Sequence, residues 1–182
     1  MTSPTRELRD AIAGIFQQVR QVPNAPYEPE RFLAFLTAPP AAGKRVADTF
    51  SGRRRFVRFM NAVQRELAIC FTQEEWERGF GLDEVAALAA AKRAKPDQGL
   101  RLAKKRLEEA LRRRTGEPVK FSILMLPILV GAIVADSWLF KGTLLLLWVA
   151  AVAAVTALSV AEVRYSRELM SRIEELRGSL ET

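Results

Sequence analysis

The sequence predicts an all-α protein: a small cytosolic helical bundle followed by a two-helix transmembrane hairpin, with helical extensions on the cytoplasmic side. Three observations carry this expectation. Two long apolar runs, FSILMLPILVGAIV (121–134) and TLLLLWVAAVAAVTALSVA (143–161), flank the short stretch ADSWLFKG (135–142). Ahead of them, apolar residues recur at spacings of three and four, and no segment alternates polar and apolar as a half-buried strand does. Basic residues crowd the outer flanks of the two runs, whereas the stretch between them offers only Lys141.

The bundle is expected over residues 1–97. SPTRELRDAIAGIFQQVRQ has Pro4 near a first turn and Leu8, Ile12, Ile15, Phe16 and Val19 at helical spacing. VPNAPYEP, with three prolines, reads as a loop. ERFLAFL gives a short helix that stops at Pro39-Pro40, and GKRVADTFSG places Val46 and Phe50 on one helical face. RRRFVRFMNAVQRELAICF carries the clearest stripe: Phe56, Phe59 or Met60, Val63, Leu67 and Phe71. Thr72 followed by Glu75 forms a capping box that opens TQEEWERGF. Leu82-Asp83-Glu84 then opens DEVAALAAAKRAK, which Pro96 ends.

The stretch RFMNAVQRELAICFTQEEWERGFGLDEVAALAAAKRA resembles the second half of an acyl-carrier-protein-type bundle. Shared with that family are a long helix ending in a Glu-rich turn, a short acidic helix, and a Leu/Val-rich last helix opened by an acidic pair. RELRDAIAGIFQQV takes the place of the first helix, so the resemblance covers residues 5–95 loosely. In the family, an Asp-Ser-Leu serine carries phosphopantetheine at the head of the long helix. Here that place reads SGRRRF, the serine's register falls on Arg53, and Ser51 lies two residues off. The resemblance implies a carrier-type fold kept as a docking module without the cofactor.

Residues 98–118 read as a basic amphipathic juxtamembrane helix, with Leu100, Ala103, Leu107 and Ala110 or Leu111 on its apolar side. Its Lys104, Lys105, Arg112, Arg113 and Arg114, with Lys120, are expected at anionic headgroups, where each basic residue contributes about 1 kcal/mol. The first span is expected over 119–140: Phe121–Phe140 contains a single charge, Asp136, and a run of about 20 apolar residues crosses a hydrocarbon core of roughly 30 Å. Pro127 would bend it. Residues 141–142 are expected as the translocated turn, with Trp138, Phe140 and Lys141 at the interface. The second span, 143–162, has no charge from Thr143 to Ala161. Gly131 on the first span and Ala150, Ala154 and Ala157 on the second are small residues that allow close helix approach and suit an oligomer. The tail, 163–182, places Leu169, Ile173, Leu176 and Leu180 in a coiled-coil seam, pairing either with 99–114 or between copies. Glu168, Glu174, Glu175 and Glu181 are expected to face the basic helix.

Charge is uneven. Residues 1–117 hold 22 Lys and Arg against 15 Asp and Glu; 118–163 hold two against two, and 164–182 four against four. By the positive-inside rule both termini are expected in the cytoplasm of a bacterial-type inner or internal membrane. Histidine is absent and Cys70 is the single cysteine, which argues against a disulfide framework, common zinc sites and His-based catalysis. No phosphate-cradling or nucleophile-elbow motif occurs. The expected protein is therefore non-catalytic, with no catalytic residue, cofactor or metal. Its partners are an anionic lipid bilayer and other copies or a larger membrane complex; nucleic acid is not expected, because no aromatic-interleaved basic motif is evident. A scaffold or accessory subunit, docking through its cytosolic domain, is the leading expectation. The alternative is an oligomeric pore or channel built from the hairpins, which should show a polar stripe along a span. Ser122, Asp136, Ser137, Thr143, Thr156 and Ser159 cluster toward the span ends instead.

Overall fold

The computed structural model describes residues 3–41, 45–78, 81–124, 130 and 138–182. Side chains are described for all of these except 3, 4, 76, 77, 115–124 and 138–141. Every regular element among them is helical: α1 (Ser3–Val19), 3-10 segments at Pro29–Leu36 and Val46–Asp48, α2 (Phe50–Leu67), α3 (Gln73–Glu77), α4 (Leu82–Arg93), α5 (Pro96–Leu124) and α6 (Trp138–Glu181). The chain divides into two compact units. One comprises residues 1–102 together with 169–182, the other residues 103–168.

In the first unit α1 packs on α2 and α4, and the Pro29–Leu36 segment packs on the same two helices. Phe16, Phe32 and Phe59, all fully buried, meet edge to face, with ring centroids 5.2 Å (Phe16–Phe32), 5.7 Å (Phe32–Phe59) and 6.3 Å (Phe16–Phe59) apart. This is the arrangement the ring quadrupoles favour. Ile12, Leu36, Val63, Leu82 and Ala86 close the core around them. Arg20 is buried beside it, its guanidinium stacked on Phe16 and Tyr27 and donating to the carbonyl of Ala25 at 2.7 Å. Burial lowers its pKa, with Tyr27 opposing.

The expected stripe on α2 is buried at Phe56, Phe59, Met60, Val63 and Leu67. The helix nevertheless stops at Leu67, short of Phe71. Ala68 takes a left-handed conformation (φ 50°), and the amides of Ala68 and Ile69 both donate to the carbonyl of Gln64. The fully buried Gln64 side chain accepts the amide of Phe71 at 2.9 Å, so side-chain bonding replaces the helical ladder there. Phe71 is still buried. Phe50, expected on one helical face with Val46, is fully exposed while Val46 is buried. The reason is that Thr49 caps α2 through Gly52, so Val46 lies outside that helix and shares no face with Phe50.

The capping box at Thr72 and Glu75 is present in full, with Thr72 Oγ1 accepting the Glu75 amide and Glu75 accepting the Thr72 amide. Pro96, expected to end the preceding helix, opens α5, where its missing N–H costs nothing.

The boundaries of the apolar half differ from expectation. α5 runs without a break from Pro96 to Leu124, through the expected junction between juxtamembrane helix and first span. Residues 125–129 and 131–137 of that span, Gly131 and Pro127 included, lie outside the described residues. Lys141 and Gly142, expected as the turn, are helical: an isolated glycine in a helix costs about 1 kcal/mol, too little to break a run of strong helix formers. The second span and the tail form one 44-residue helix, α6, because no proline or turn signal separates them. Among the described residues one helix, Gly142–Glu181, is long and apolar enough to cross a membrane; the expected hairpin is not among the described elements.

Candidate functional site

The chain has no histidine, and its one thiol, Cys70, is buried. Among the described residues no group of three or more His, Cys, Asp or Glu is placed to hold a metal ion.

The first surface is the seam between α5 and α6. Within the first unit, Leu169 and Ile173 are fully buried. Gly99 of α5 lies against Ile173: a Cβ there would stand 3.6 Å from Ile173 Cδ1 and 3.9 Å from the backbone nitrogen of Cys70. The Arg172 guanidinium donates to the carbonyl of Arg65 at 3.2 Å, supplying positive charge at the last turn of α2, where helix carbonyls lack amide partners. Arg177 pairs with Asp97 at 3.2 Å and with Glu181 of its own helix at 3.0 Å. The tail is thus held by the bundle corner formed by α2, Cys70 and the start of α5. Leu176 is half-buried, and Leu180, expected in the seam, is 63% exposed. The physical cause is length: α5 begins at Pro96, opposite Arg177, so Leu180 has no α5 residue facing it.

Within the second unit Arg113 of α5 pairs with Glu162 of α6 at 3.6 Å. Ala103 and Ala110 of α5 and Ser159, Val163 and Ser166 of α6 are buried. These small residues permit close approach. Ala110, rather than the exposed Leu111, is the inward residue of the expected pair. Lys104, Lys105, Arg112, Arg113 and Arg114 are all exposed.

The second surface is the apolar flank of α6. Leu144, Trp148, Ala151, Val152 and Val155 are half-buried and continue the line of Ser159 and Val163. Ala150, Ala154 and Ala157 fall on the opposite, exposed side of the helix. Leu145, Leu146, Leu147 and Leu158 are 50%, 70%, 62% and 71% exposed. The side chains of Lys120, Trp138, Phe140 and Lys141 lie outside the described residues, although their backbones are helical.

A third feature was not anticipated. Glu75 and Lys92 pair at 2.8 Å with side chains only 19% and 11% exposed, and the Lys92 ammonium lies over the Phe71 ring. Burial alone would raise the Glu75 pKa. The hydrogen bonds from Lys92 and from the Thr72 amide outweigh it and hold the carboxyl below its ordinary value. The available signal was Lys92 in the last turn of a helix, next to an acidic capping box.

No family model, curated protein or solved structure matches the chain, the acyl-carrier resemblance included.

Proposed function

We propose that the chain is an integral membrane protein that acts as a non-catalytic scaffold or accessory subunit. In this reading α6 is the anchor, the first span completes a hairpin, and both termini are cytoplasmic. The observation that carries it is the solvent exposure of an uncharged, leucine-rich stretch of α6. Four leucines at least half exposed within 14 residues form a patch that soluble proteins do not leave in water, and lipid is the natural cover. The basic residues at 104–114 and at Arg164 and Arg167 favour a cytoplasmic placement of both flanks.

The scaffold reading is preferred to a pore because two hydroxyls of the stretch, one exposed and one buried, are engaged by their own helix. Thr156 and Ser159 hydroxyls donate to the carbonyls of Val152 and Val155, four residues back on their own helix, rather than to a lumen. The bundle, with a packed aromatic core and a tail locked to it, serves in this reading as a rigid docking body for a partner or another copy.

Two measurements test the proposal. Reporter fusions after Thr182 and at the N-terminus should both report the cytoplasm. Native mass measurement of the detergent-solubilised protein should find more than one copy or a stoichiometric partner. An exported C-terminal reporter would overturn the topology, and a bare monomer would overturn the scaffold.

A further inference from the structure

α2 has one flank that neither the core nor the tail uses. Its inner side buries Gly52, Phe56, Phe59, Met60, Val63, Gln64 and Leu67. On the opposite side Phe50 is 102% exposed and Val57 37% exposed, and Arg53, Arg54 and Arg58, also exposed, surround them. At 3.6 residues per turn these five positions occupy a single face. Arg55, the other arginine of the run, is directed elsewhere and donates to the carbonyl of Val19. Between Phe50 and Arg65 the helix has no acidic residue, so it carries no carboxylate of its own to neutralise the cluster.

An aromatic ring standing in water beside three guanidinium groups has a defined complement. Arginine binds phosphate oxygens with two parallel hydrogen bonds, and a ring flanked by cations rests at the boundary between headgroups and acyl chains. The patch is one helix wide and five side chains long, small for the roughly 800 Å² per partner that a specific protein interface buries. A bilayer has no such size requirement, and the membrane anchor of the same chain keeps one within reach at high effective concentration.

We propose that the outer face of α2, formed by Phe50, Arg53, Arg54, Val57 and Arg58, is a second membrane-binding element that lays the cytosolic bundle on an anionic leaflet. The inference rests on the reading of α6 as a membrane anchor and adds to it a contact made by a different part of the chain. Each arginine near an anionic surface is expected to strengthen the contact by about fivefold, and raised salt to weaken it through screening.

The test uses the full chain with Cys70→Ala, spin-labelled through Phe50→Cys or, separately, through Leu146→Cys, and placed in nanodiscs. One set of discs contains phosphatidylglycerol with phosphatidylcholine, the other phosphatidylcholine alone. In the anionic discs the position-50 label should lose collisions with a water-soluble nickel chelate and gain collisions with oxygen. In neutral discs, at high salt, or in the Arg53→Glu, Arg54→Glu, Arg58→Glu variant it should remain in water. The three arginines are exposed, so the variant keeps the fold, which circular dichroism checks. A lipid-buried label at 146 with a water-exposed label at 50 in every disc overturns this inference alone. Water-exposed labels at both positions overturn the anchor reading as well. Protection at 50 that ignores lipid charge and grows with copies per disc assigns the face to a second copy and also overturns the inference.

Discussion

Truncating Ile173 to alanine tests whether the tail is locked to the bundle. Ile173 is fully buried, and Gly99 of α5, which lies against it, has no side chain to swing into the space that truncation opens. Large-to-small core substitutions of this kind cost about 2–5 kcal/mol, and sites that cannot collapse fall in the upper part of that range. A loss of about 3–4 kcal/mol is expected. Because a tenfold change in an equilibrium corresponds to about 1.4 kcal/mol, amide exchange in the 169–181 segment should accelerate by a factor of about 100 to 1,000. The readout is hydrogen–deuterium exchange of the full chain in mild detergent, resolved to peptides covering the tail. Two controls calibrate it. Leu180→Ala, at a 63% exposed position, should change exchange hardly at all. Gly99→Ala introduces a methyl at ordinary van der Waals distance from Ile173 and removes a helix glycine, so it should slow exchange by an amount equivalent to about 0.5–1 kcal/mol. Tail exchange unchanged in Ile173→Ala, or accelerated equally by Leu180→Ala, would refute the docked seam.

Three further outcomes are expected from thermal unfolding in mild detergent. Gly52→Ala should destabilise the bundle by about 1–3 kcal/mol, because its methyl would collide with the carbonyl oxygen of Val46 and with Thr49 Oγ1, the cap of α2. Ala68→Gly should stabilise by about 0.5–1 kcal/mol, since a glycine adopts the left-handed cap of α2 without the strain alanine bears. Glu75→Gln should cost about 1–3 kcal/mol at neutral pH, leaving the nearly buried Lys92 without its counter-charge. Glu75 has a folded pKa below its ordinary 4.5, so the ionised pair's contribution is complete above about pH 4.5 and fades as pH falls through the folded pKa. The gap between parent and Glu75→Gln should therefore narrow on acidification, and a gap that widened would reverse the sign of the coupling.

What the sequence made legible was mostly local. The capping box at Thr72 and Glu75 depends on two side chains three residues apart, and the α2 stripe depends on one helix's own period. Both could be read from a short window. Features that depended on a partner element were not legible in that way. The heptad pattern of the tail continues through Leu180, but a seam is only as long as the shorter helix, and Pro96 fixes where α5 begins. Charge matching was read from composition, which favoured acids of the tail facing bases of α5. In the structure Asp97 and Arg177 pair in the reverse sense, while Arg113 of α5 and Glu162 of α6 pair base to acid. The alanine series at 150, 154 and 157 shows the same limit: small residues announce that something can come close, and the side on which it does so is set by the other residues of the helix. Here Trp148, Val152 and Val155 take the inner side, leaving the alanines exposed. The register of α2 is the most instructive case. Phe50 and Val46 stand four apart, which a continuous helix would place on one face. A threonine cap between them starts the helix at Phe50, and the same two residues differ in environment, Val46 buried and Phe50 open. A hydrophobic period identifies a face only within one uninterrupted helix, so a capping residue inside the pattern changes which residues are core and which are free to meet a membrane.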